Sequence, residues 1–549
     1  MRRASSENGS VDRSNGHAVE GAKDVQDGDV TAGSDFLQLD IRDAPLGGRA
    51  DWLAGQLRRA MADGRLPLGS RLPATRVLSA ELRVSRGVVT EAYQRLSEDG
   101  HVEGRGRNGT VVVAVPVGVA EPAAVTVASG MAEPVGVVGR RVRRAPVGLG
   151  AGVRRLRPNP SRQPPDSATL FGLPPGEDVF DLIRAAPARI DLSPGVPDLA
   201  AFPRAAWLRA EREVLGELAA VGFGYGDPRG TVELRQAVAH WLGRNRGIRV
   251  EPGEVLIVAG TAQALALIGG VLREDGVEEL AVEDPGSLGI RQHLANQGLR
   301  TPPVTVDGEG VLVSELAEPG DRRAVLLTPA HQFPTGVVLG GARRRELLWW
   351  VEGGGLVVED DYDAEHRYDR SPVPAFRSMA PERVCYLGSV SKLLAPALRM
   401  GWMVAPPRYR DALVSAKRFA DLGNAVLPQL VLARLMESGE LERHLRLLRQ
   451  RHRRRRDAMI KAIQAHLPGA VVHGAAAGLH LLVTFEGLGL ADTDLTAAAL
   501  ARGVKVHPLS WHRQRPEGPP GVLLGYAATA TTAIEEGVAT VGEALREVA

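Results

Sequence analysis

A single cysteine, Cys385, stands in 549 residues. It has no partner for an intrachain disulfide and cannot furnish a multi-thiolate metal site, which predicts a reducing compartment. No apolar run approaches the ~18 residues needed to cross a bilayer, and the opening MRRASSENGS has no apolar signal-peptide core. The expectation is a soluble, cytoplasmic protein without a membrane partner. The formal net charge of +2 gives no surplus of one sign, so it does not by itself point to nucleic acid. Lysine is scarce in a way that matters for chemistry. Lys23, Lys392, Lys417, Lys461 and Lys505 are the only lysines among 67 basic residues, so a function that needs a nucleophilic amine has five candidates.

What is present is an ordinary globular balance, 44 % apolar and 24 % charged, which excludes collagen-like, coiled-coil and wholly disordered chains. The length argues for two or three domains. Residues 1–34 are rich in Ser, Gly, Asn and Asp without apolar periodicity and read as a disordered tail. Regular patterns occupy 35–113. Residues 114–187 are rich in Pro, Gly, Ala, Val and Arg and read as a linker, with Arg140, Arg141, Arg143, Arg144, Arg154, Arg155, Arg157 and Arg162 unaccompanied by any acid between 140 and 162. From 188 to 549, short apolar runs at 255–258, 280–282, 324–327, 356–358, 384–387 and 400–404 alternate with helical patterns, predicting an α/β domain on a mainly parallel sheet. Its large part spans about 220–430 and a smaller α+β subdomain about 431–549.

In the first module, Pro73 precedes a helical pattern carrying Val77, Leu78 and Leu82. Ser85 stands where it can cap a second helix whose apolar face is Val88, Val89, Ala92 and Leu96. Two short helices across a tight turn suit a helix-turn-helix, and Ser85, Arg86 and Thr90 at the start of the second would reach the major groove of double-stranded DNA. Gly104 to Gly109, carrying Arg105 and Arg107, forms a basic ribbon suited to the phosphate backbone. The order RLPATRVLSAELRVSRGVVTEAYQRLSEDGHVEGRGRNGTVVV resembles the winged helix of the GntR family. That resemblance implies an operator contact by Arg76, Ser85, Arg86 and the wing around Arg105 and Arg107. Val88 and Val89 stand where the family usually has Thr-Val, removing one hydroxyl.

In the large domain, CYLGSVSKLLAPALRMGW at 385–402 places an amine, two hydroxyls and a guanidinium around a small volume. Pyridoxal phosphate requires such a set: a Lys for the Schiff base and donors for a phosphate dianion. Upstream, VVEDDYDAEHRY begins at the end of a predicted strand, where open α/β sheets bind ligands. Asp360 can hold the pyridine nitrogen protonated and Tyr362 can bond the phenolate oxygen. In VLIVAGTAQALALI a strand turns through Gly260 into a helix whose free N–H groups suit phosphate.

With GYGDPRG at 224–230, EDPG at 283–286 and TPAHQFPTG at 328–336, the order resembles a fold-type I aminotransferase domain, and behind a GntR winged helix it resembles the MocR subfamily of bacterial regulators. The resemblance implies a multidomain fold: an N-terminal winged helix-turn-helix with a small β wing, then an α/β transferase of fold type I with a small C-terminal α+β subdomain. It implies a cofactor aldimine at Lys392, the one catalytic residue expected, ring contacts by Asp360 and Tyr362, and phosphate contacts by Ala262, Gln263, Ser389, Ser391 and Arg399. Tyr225 would reach the partner's phosphate in a head-to-tail homodimer. No metal is expected.

Two departures stand out. Ser287 occupies the place of the usual Tyr after E-D-P-G, and the segment before 521–527 lacks the Arg that holds a substrate carboxylate, with only Arg513 and Arg515 nearby. The reading is a PLP-dependent transcriptional regulator that senses PLP or a small amine. The alternative is a working aminotransferase with a DNA-binding appendage. Arg443 to Arg456, ending RQRHRRRR, is expected to be a long solvated helix linking the subdomains.

Overall fold

Each apolar pattern in the chain must find a second layer to bury against, and among the described residues the N-terminal module, the large sheet and the C-terminal part each bury apolar cores of their own. The computed structural model describes residues 39, 41, 44–45, 48–62, 65–98, 101–104, 106, 109–113, 167–318, 320, 323–368 and 374–549. The 1–34 tail, Arg105, Arg107 and residues 114–166 of the expected linker lie outside the described residues.

The first core belongs to the N-terminal module. Its elements are α1 (Arg49–Ala62), β1 (Arg71–Leu72), α2 (Thr75–Glu81), α3 (Arg86–Glu98), β2 (Val102–Gly104) and β3 (Thr110–Val112). Leu53, Leu57 and Met61 of α1 meet Leu78, Leu82, Val89, Ala92 and Leu96 of the helical pair. Val77 instead points outward, 42 % exposed, because it lies off the face that Leu78 and Leu82 share. Arg83 takes φ 51°, the left-handed conformation that turns the chain sharply between α2 and α3. Tyr93 on α3 donates to the Pro73 carbonyl at 2.8 Å, fixing the angle of the pair. β3 lies antiparallel between β1 and β2, forming the wing.

The stretch 114–187 is not linker throughout. Its described part holds α4 (Ser167–Phe171) and α5 (Val179–Ala185), followed by β4 (Ile190–Asp191). Leu170, Phe171, Val179 and Ile183 bury against Leu288, Leu500 and Trp511, and the Phe171 and Trp511 rings stack at 5.1 Å. Helices this short depend on tertiary packing rather than propensity, so composition alone concealed them.

The large domain follows as α6 (Arg204–Glu217), α7 (Val232–Arg246), β5 (Val255–Val258), α8 (Thr261–Glu274), β6 (Leu280–Asp284), α9 (Leu288–Asn296), β7 (Pro303–Asp307), β8 (Gly310–Val311), β9 (Ala324–Leu327), α10 (Gly341–Glu352), β10 (Leu356–Asp361), β11 (Val384–Ser389), β12 (Gly401–Val404), α11 (Pro407–Asp421) and α12 (Val426–Glu437). The sheet runs in the order β5-β12-β11-β10-β9-β6-β7-β8. Strands β11, β10, β9, β6 and β7 are mutually parallel, while β12 is antiparallel to both of its neighbours. Both faces are covered. Val255 and Ile257 pack toward α7 and α12, while Leu256 and Val258 pack toward α8 and α11, which is why these strands read as unbroken apolar runs.

The small part comprises α13 (Glu440–His466), β13 (Ala470–His473), β14 (His480–Phe485), α14 (Asp492–Ala501), β15 (Val504–Lys505), β16 (His507–Pro508), β17 (Gly521–Gly525) and α15 (Thr531–Val548). Its antiparallel sheet has the order β13-β14-β17-β16, and β15 pairs in parallel with β4, so residues near 190 belong to this unit as well. The division is not at 431, which falls inside α12. That helix and the first turns of α13, through Leu441, Leu445 and Leu448, complete the large-domain core, whereas Met459 and Ile463 farther along α13 join the small one.

Nor is α13 simply solvated. Arg455 and Arg451 pair with buried Asp198 at 2.9 and 3.0 Å, and Arg456 lies over the Tyr368 ring, 5.0 Å from its centroid. A helix bridging two units turns one side inward, and part of its basic run is spent there.

One buried ion pair fastens the site-bearing strand β10 to α7. Arg246 and Asp361, with side chains 0 % and 2 % exposed, meet at 2.6 Å, and the Tyr386 hydroxyl donates to the same carboxylate oxygen at 2.6 Å. Arg246→Met leaves Asp361 buried without its cation and should cost about 3–5 kcal/mol. Denaturant unfolding followed by circular dichroism measures it, and a loss below about 1 kcal/mol contradicts the assignment.

Candidate functional site

Strand register alone assembles the site. Gly401 of β12 lies opposite Val258 of β5 on one side and Ser389 of β11 on the other. The turn into α8, the Ser-x-Ser-Lys turn and Arg399 therefore converge at one end of the sheet. One strand farther, Asp360 stands beside Leu387. The pattern predicted from spacing is thus brought together by pairing.

Lys392 follows β11 on its turn, and its Nζ donates to the Gly195 carbonyl. Gly195 has φ 74°, and a Cβ there would stand 3.2 Å from Nζ, so a side chain would crowd the amine. Burial lowers the Lys392 pKa, favouring the nucleophilic free amine, while Asp363 and Asp360 oppose the shift. The Lys392 carbonyl is held by His366 Nε2 at 3.0 Å.

Asp360, the last residue but one of β10, is 6 % exposed, and its Oδ1 has no hydrogen-bond partner among the described residues. Burial, with Asp361 and Asp363 nearby, pushes its carboxyl up to about 7. Such a carboxylate is in need of a cationic donor. Tyr362 Oη lies 3.0 Å from His331 Nδ1, and the same nitrogen lies 2.9 Å from Asp363 Oδ2. Burial first, then Asp363, raises the Tyr362 pKa well above its usual value, keeping it a neutral donor. His331, Asp363 and His366 were given no role in the sequence reading. They sit inside the quoted HQFPTG and EDDYDAEH segments, which were their only signal.

At the other end, Gly260 caps α8 at φ 80°, and a Cβ there would lie 3.3 Å from Arg399 Nη1. The first-turn N–H groups of α8, among them that of Ala262, lie beside Arg399 at a helix N-terminus, an end that suits an anion. Arg399 itself takes φ 48° and donates from Nη2 to the Ala259 carbonyl at 2.5 Å. Ser389 Oγ donates to Ser391 Oγ at 2.9 Å, so both hydroxyls belong to one turn. Gln263 departs from expectation. Its Oε1 accepts from Ala259 N–H at 2.8 Å and its Nε2 donates to Asp421 at 2.7 Å, so its carboxamide braces the turn from behind instead of facing an anion.

Tyr225 stands 95 % exposed on the surface, apart from the Lys392 group within one chain. Ser287 caps α9 by accepting from Ile290 N–H. Leu523 of β17 buries with Leu482 and Leu509. Arg513 donates to Gly518, and Arg515 to Thr305 and Glu315, so these two guanidinium groups are engaged elsewhere.

These donors fit pyridoxal phosphate. An unsatisfied buried carboxylate suits the ring nitrogen, Tyr362 the phenolate oxygen, Lys392 the aldehyde, and the Gly260 turn with Ser389, Ser391 and Arg399 the phosphate.

In the N-terminal module, Arg76, Ser85, Arg86 and Thr90 are all exposed, as a DNA-reading face requires. Arg86 Nε donates to Thr75 Oγ1 at 3.3 Å, linking the starts of α2 and α3.

Residues 50–112 match the family described as bacterial regulatory proteins, gntR family, and residues 188–517 match aminotransferase class I and II. A probable rhizopine catabolism regulatory protein, MocR, of Rhizobium meliloti is 31 % identical over 88 % of this chain and 91 % of its own length. The pyridoxine biosynthesis regulator PdxR of Corynebacterium glutamicum is 28 % identical over 87 % and 91 %. Among solved structures, the α-aminoadipate aminotransferase LysN of Thermus thermophilus is 29 % identical with a TM-score of 0.60, covering 69 % of this chain and 96 % of that one. The chain belongs to the MocR subfamily of GntR-family transcriptional regulators, with a helix-turn-helix domain joined to an aminotransferase-like domain of fold type I that takes pyridoxal phosphate.

Proposed function

We propose that this regulator reads a small amine, or pyridoxal phosphate itself, at Lys392 and reports it to an operator held by Arg76, Ser85, Arg86 and Thr90. The observation that carries the reading is the buried, unsatisfied Oδ1 of Asp360, whose charge acts on the buried amine of Lys392, on a chain that also carries a winged helix. When bound, the cofactor supplies an aldehyde carbon that condenses with primary amines. Lys392 contributes the nucleophile, Asp360 the counter-charge for a protonated ring nitrogen, and Tyr362 a neutral hydroxyl donor. The exposed apolar residues Val221, Phe223, Tyr225, Phe419 and Leu422 favour a homodimer in which Tyr225 serves the partner's phosphate. A bacterial regulator of this kind works in the cytoplasm, and among the described residues no helix is long and apolar enough to cross a membrane.

The sensor reading is favoured over the enzyme reading by the walls of the site. Sustained transamination needs a base that returns to Cα and a clamp that orients the substrate. Leu523 and its neighbours offer no clamp, and Ser287 supplies no ring.

Three outcomes are expected. Lys392→Ala should abolish the visible band of lysine-bound cofactor while leaving the circular dichroism spectrum intact, and borohydride-trapped cofactor should map to Lys392 and no other lysine. Steady-state assays over a panel of amino donors with 2-oxoglutarate or pyruvate should show turnover on the order of a thousandfold below the ~10 s⁻¹ typical of enzymes; a rate near that value places the protein among aminotransferases. Arg86→Ala should weaken binding to the native upstream DNA by about 1–3 kcal/mol in a mobility-shift titration, and unchanged affinity defeats the docking of α3.

A further inference from the structure

Lys417, on the last turns of α11, has a side chain that is 0 % exposed, an unusual place for an ammonium. Its Nζ donates to Gln263 Oε1 at 2.8 Å, to Asp421 Oδ2 at 2.6 Å and to Asn424 Oδ1 at 2.6 Å, which uses all three of its N–H bonds. Each neutral partner then reaches the anion-binding end of α8. Gln263 Oε1 also accepts from Ala259 N–H at 2.8 Å. Asn424 Nδ2 donates to the Arg399 carbonyl at 3.2 Å, and Arg399 Nη2 donates to the Ala259 carbonyl at 2.5 Å. The bonds close a circuit from Ala259 through Gln263, Lys417, Asn424 and Arg399 back to Ala259.

We propose that Lys417 is a positioning residue for the cofactor phosphate. The circuit holds the Gly260 turn and the Arg399 guanidinium in one mutual geometry, so the donors meet a dianion without first rearranging. The lysine's own charge is met by Asp421 one turn on, so its contribution is placement and not attraction. This rests on the reading of the Gly260 turn, Ser389, Ser391 and Arg399 as the phosphate cradle.

The same circuit extends outward. Leu422, Gly423 and Asn424 line a surface hollow together with Gly224, Tyr225 and Val426. Gly423 takes φ 112°, and a Cβ there would lie 3.3 Å from Pro228 Cα, so this loop is seated closely against the segment that carries Tyr225. Lys417 thereby joins the cradle to the face assigned to a second copy of the chain.

The test uses the full-length apoprotein titrated with pyridoxal phosphate and, separately, with pyridoxal, which lacks the phosphate. Lys417→Met should weaken pyridoxal phosphate about 10- to 100-fold, the size of loss that metal sites show when an outer-shell partner is removed, and leave pyridoxal affinity unchanged. Asn424→Ala, at a half-buried position, cuts the same circuit without emptying a buried one, and should show the same phosphate-selective loss if Lys417→Met does not fold. Equal losses for both ligands mean general packing and overturn the proposal, as does no loss for either. Arg399→Ala separates this proposal from the cradle reading. Retained preference for the phosphorylated ligand in Arg399→Ala overturns the cradle and the proposal with it. Preference lost there but intact in Lys417→Met and Asn424→Ala overturns the role of Lys417 alone.

Discussion

Strand β10 carries Glu359, Asp360 and Asp361 consecutively through the middle of an apolar sheet, and each buried carboxylate must be met. Glu359 accepts from the backbone N–H groups of Phe376 and Arg377 at 2.7 and 2.8 Å. Asp361 is met by Arg246 and Tyr386. Asp360 has neither a cation nor a hydroxyl donor on its buried Oδ1, and burial pushes its carboxyl up to about 7, whereas Asp361, whose own Oδ1 is also unbonded, has both on Oδ2. Glu359 is met on both oxygens and Asp361 on one. That unmet demand is what the proposed contact with a protonated pyridine nitrogen would answer, and Lys392 and Tyr362 lie on the same end of the sheet.

The groups proposed to hold the cofactor and the strand β17 that follows Arg513 and Arg515 are built differently. The elements that would hold it are braced from behind: His366 on the Lys392 carbonyl, His331 and Asp363 on Tyr362, and Gln263 and Asn424 on the Gly260 turn and Arg399. On the small-domain side, β17 presents Leu523 within a leucine cluster, and the two arginines that precede it are drawn to Gly518 and to Thr305 with Glu315.

The abundance of arginine has more than one meaning in the fold. In α13, Arg451 and Arg455 converge on Asp198 in the segment leading into α6, and Arg456 covers Tyr368. These contacts bind the two halves of the aminotransferase-like domain together. A charge run counted along the chain looks like a solvated or nucleic-acid-binding face. The helical period brings Arg451 and Arg455, four residues apart, to one inward face and leaves Arg453 and Arg454 exposed, so only part of the run faces water.

Much was legible in the chain itself. Apolar runs bounded by turns marked the strands of the large sheet, because strands buried on both faces carry no polar alternation. The winged helix and the Lys392, Asp360 and Tyr362 motifs were visible because their chemistry depends on residues close in sequence. Tertiary structure alone decided the rest. The helices at 167–185 exist only because Trp511 and Leu500, more than three hundred residues away, cover them. The resemblance implies a phosphate contact by Gln263, yet Lys417 and Asp421 on α11 claim its side chain. Lys417 itself carried no motif. A contact between residues far apart in the chain leaves no local pattern, so sequence determined which chemical groups are available, and packing determined which of them face the ligand and which stand behind it.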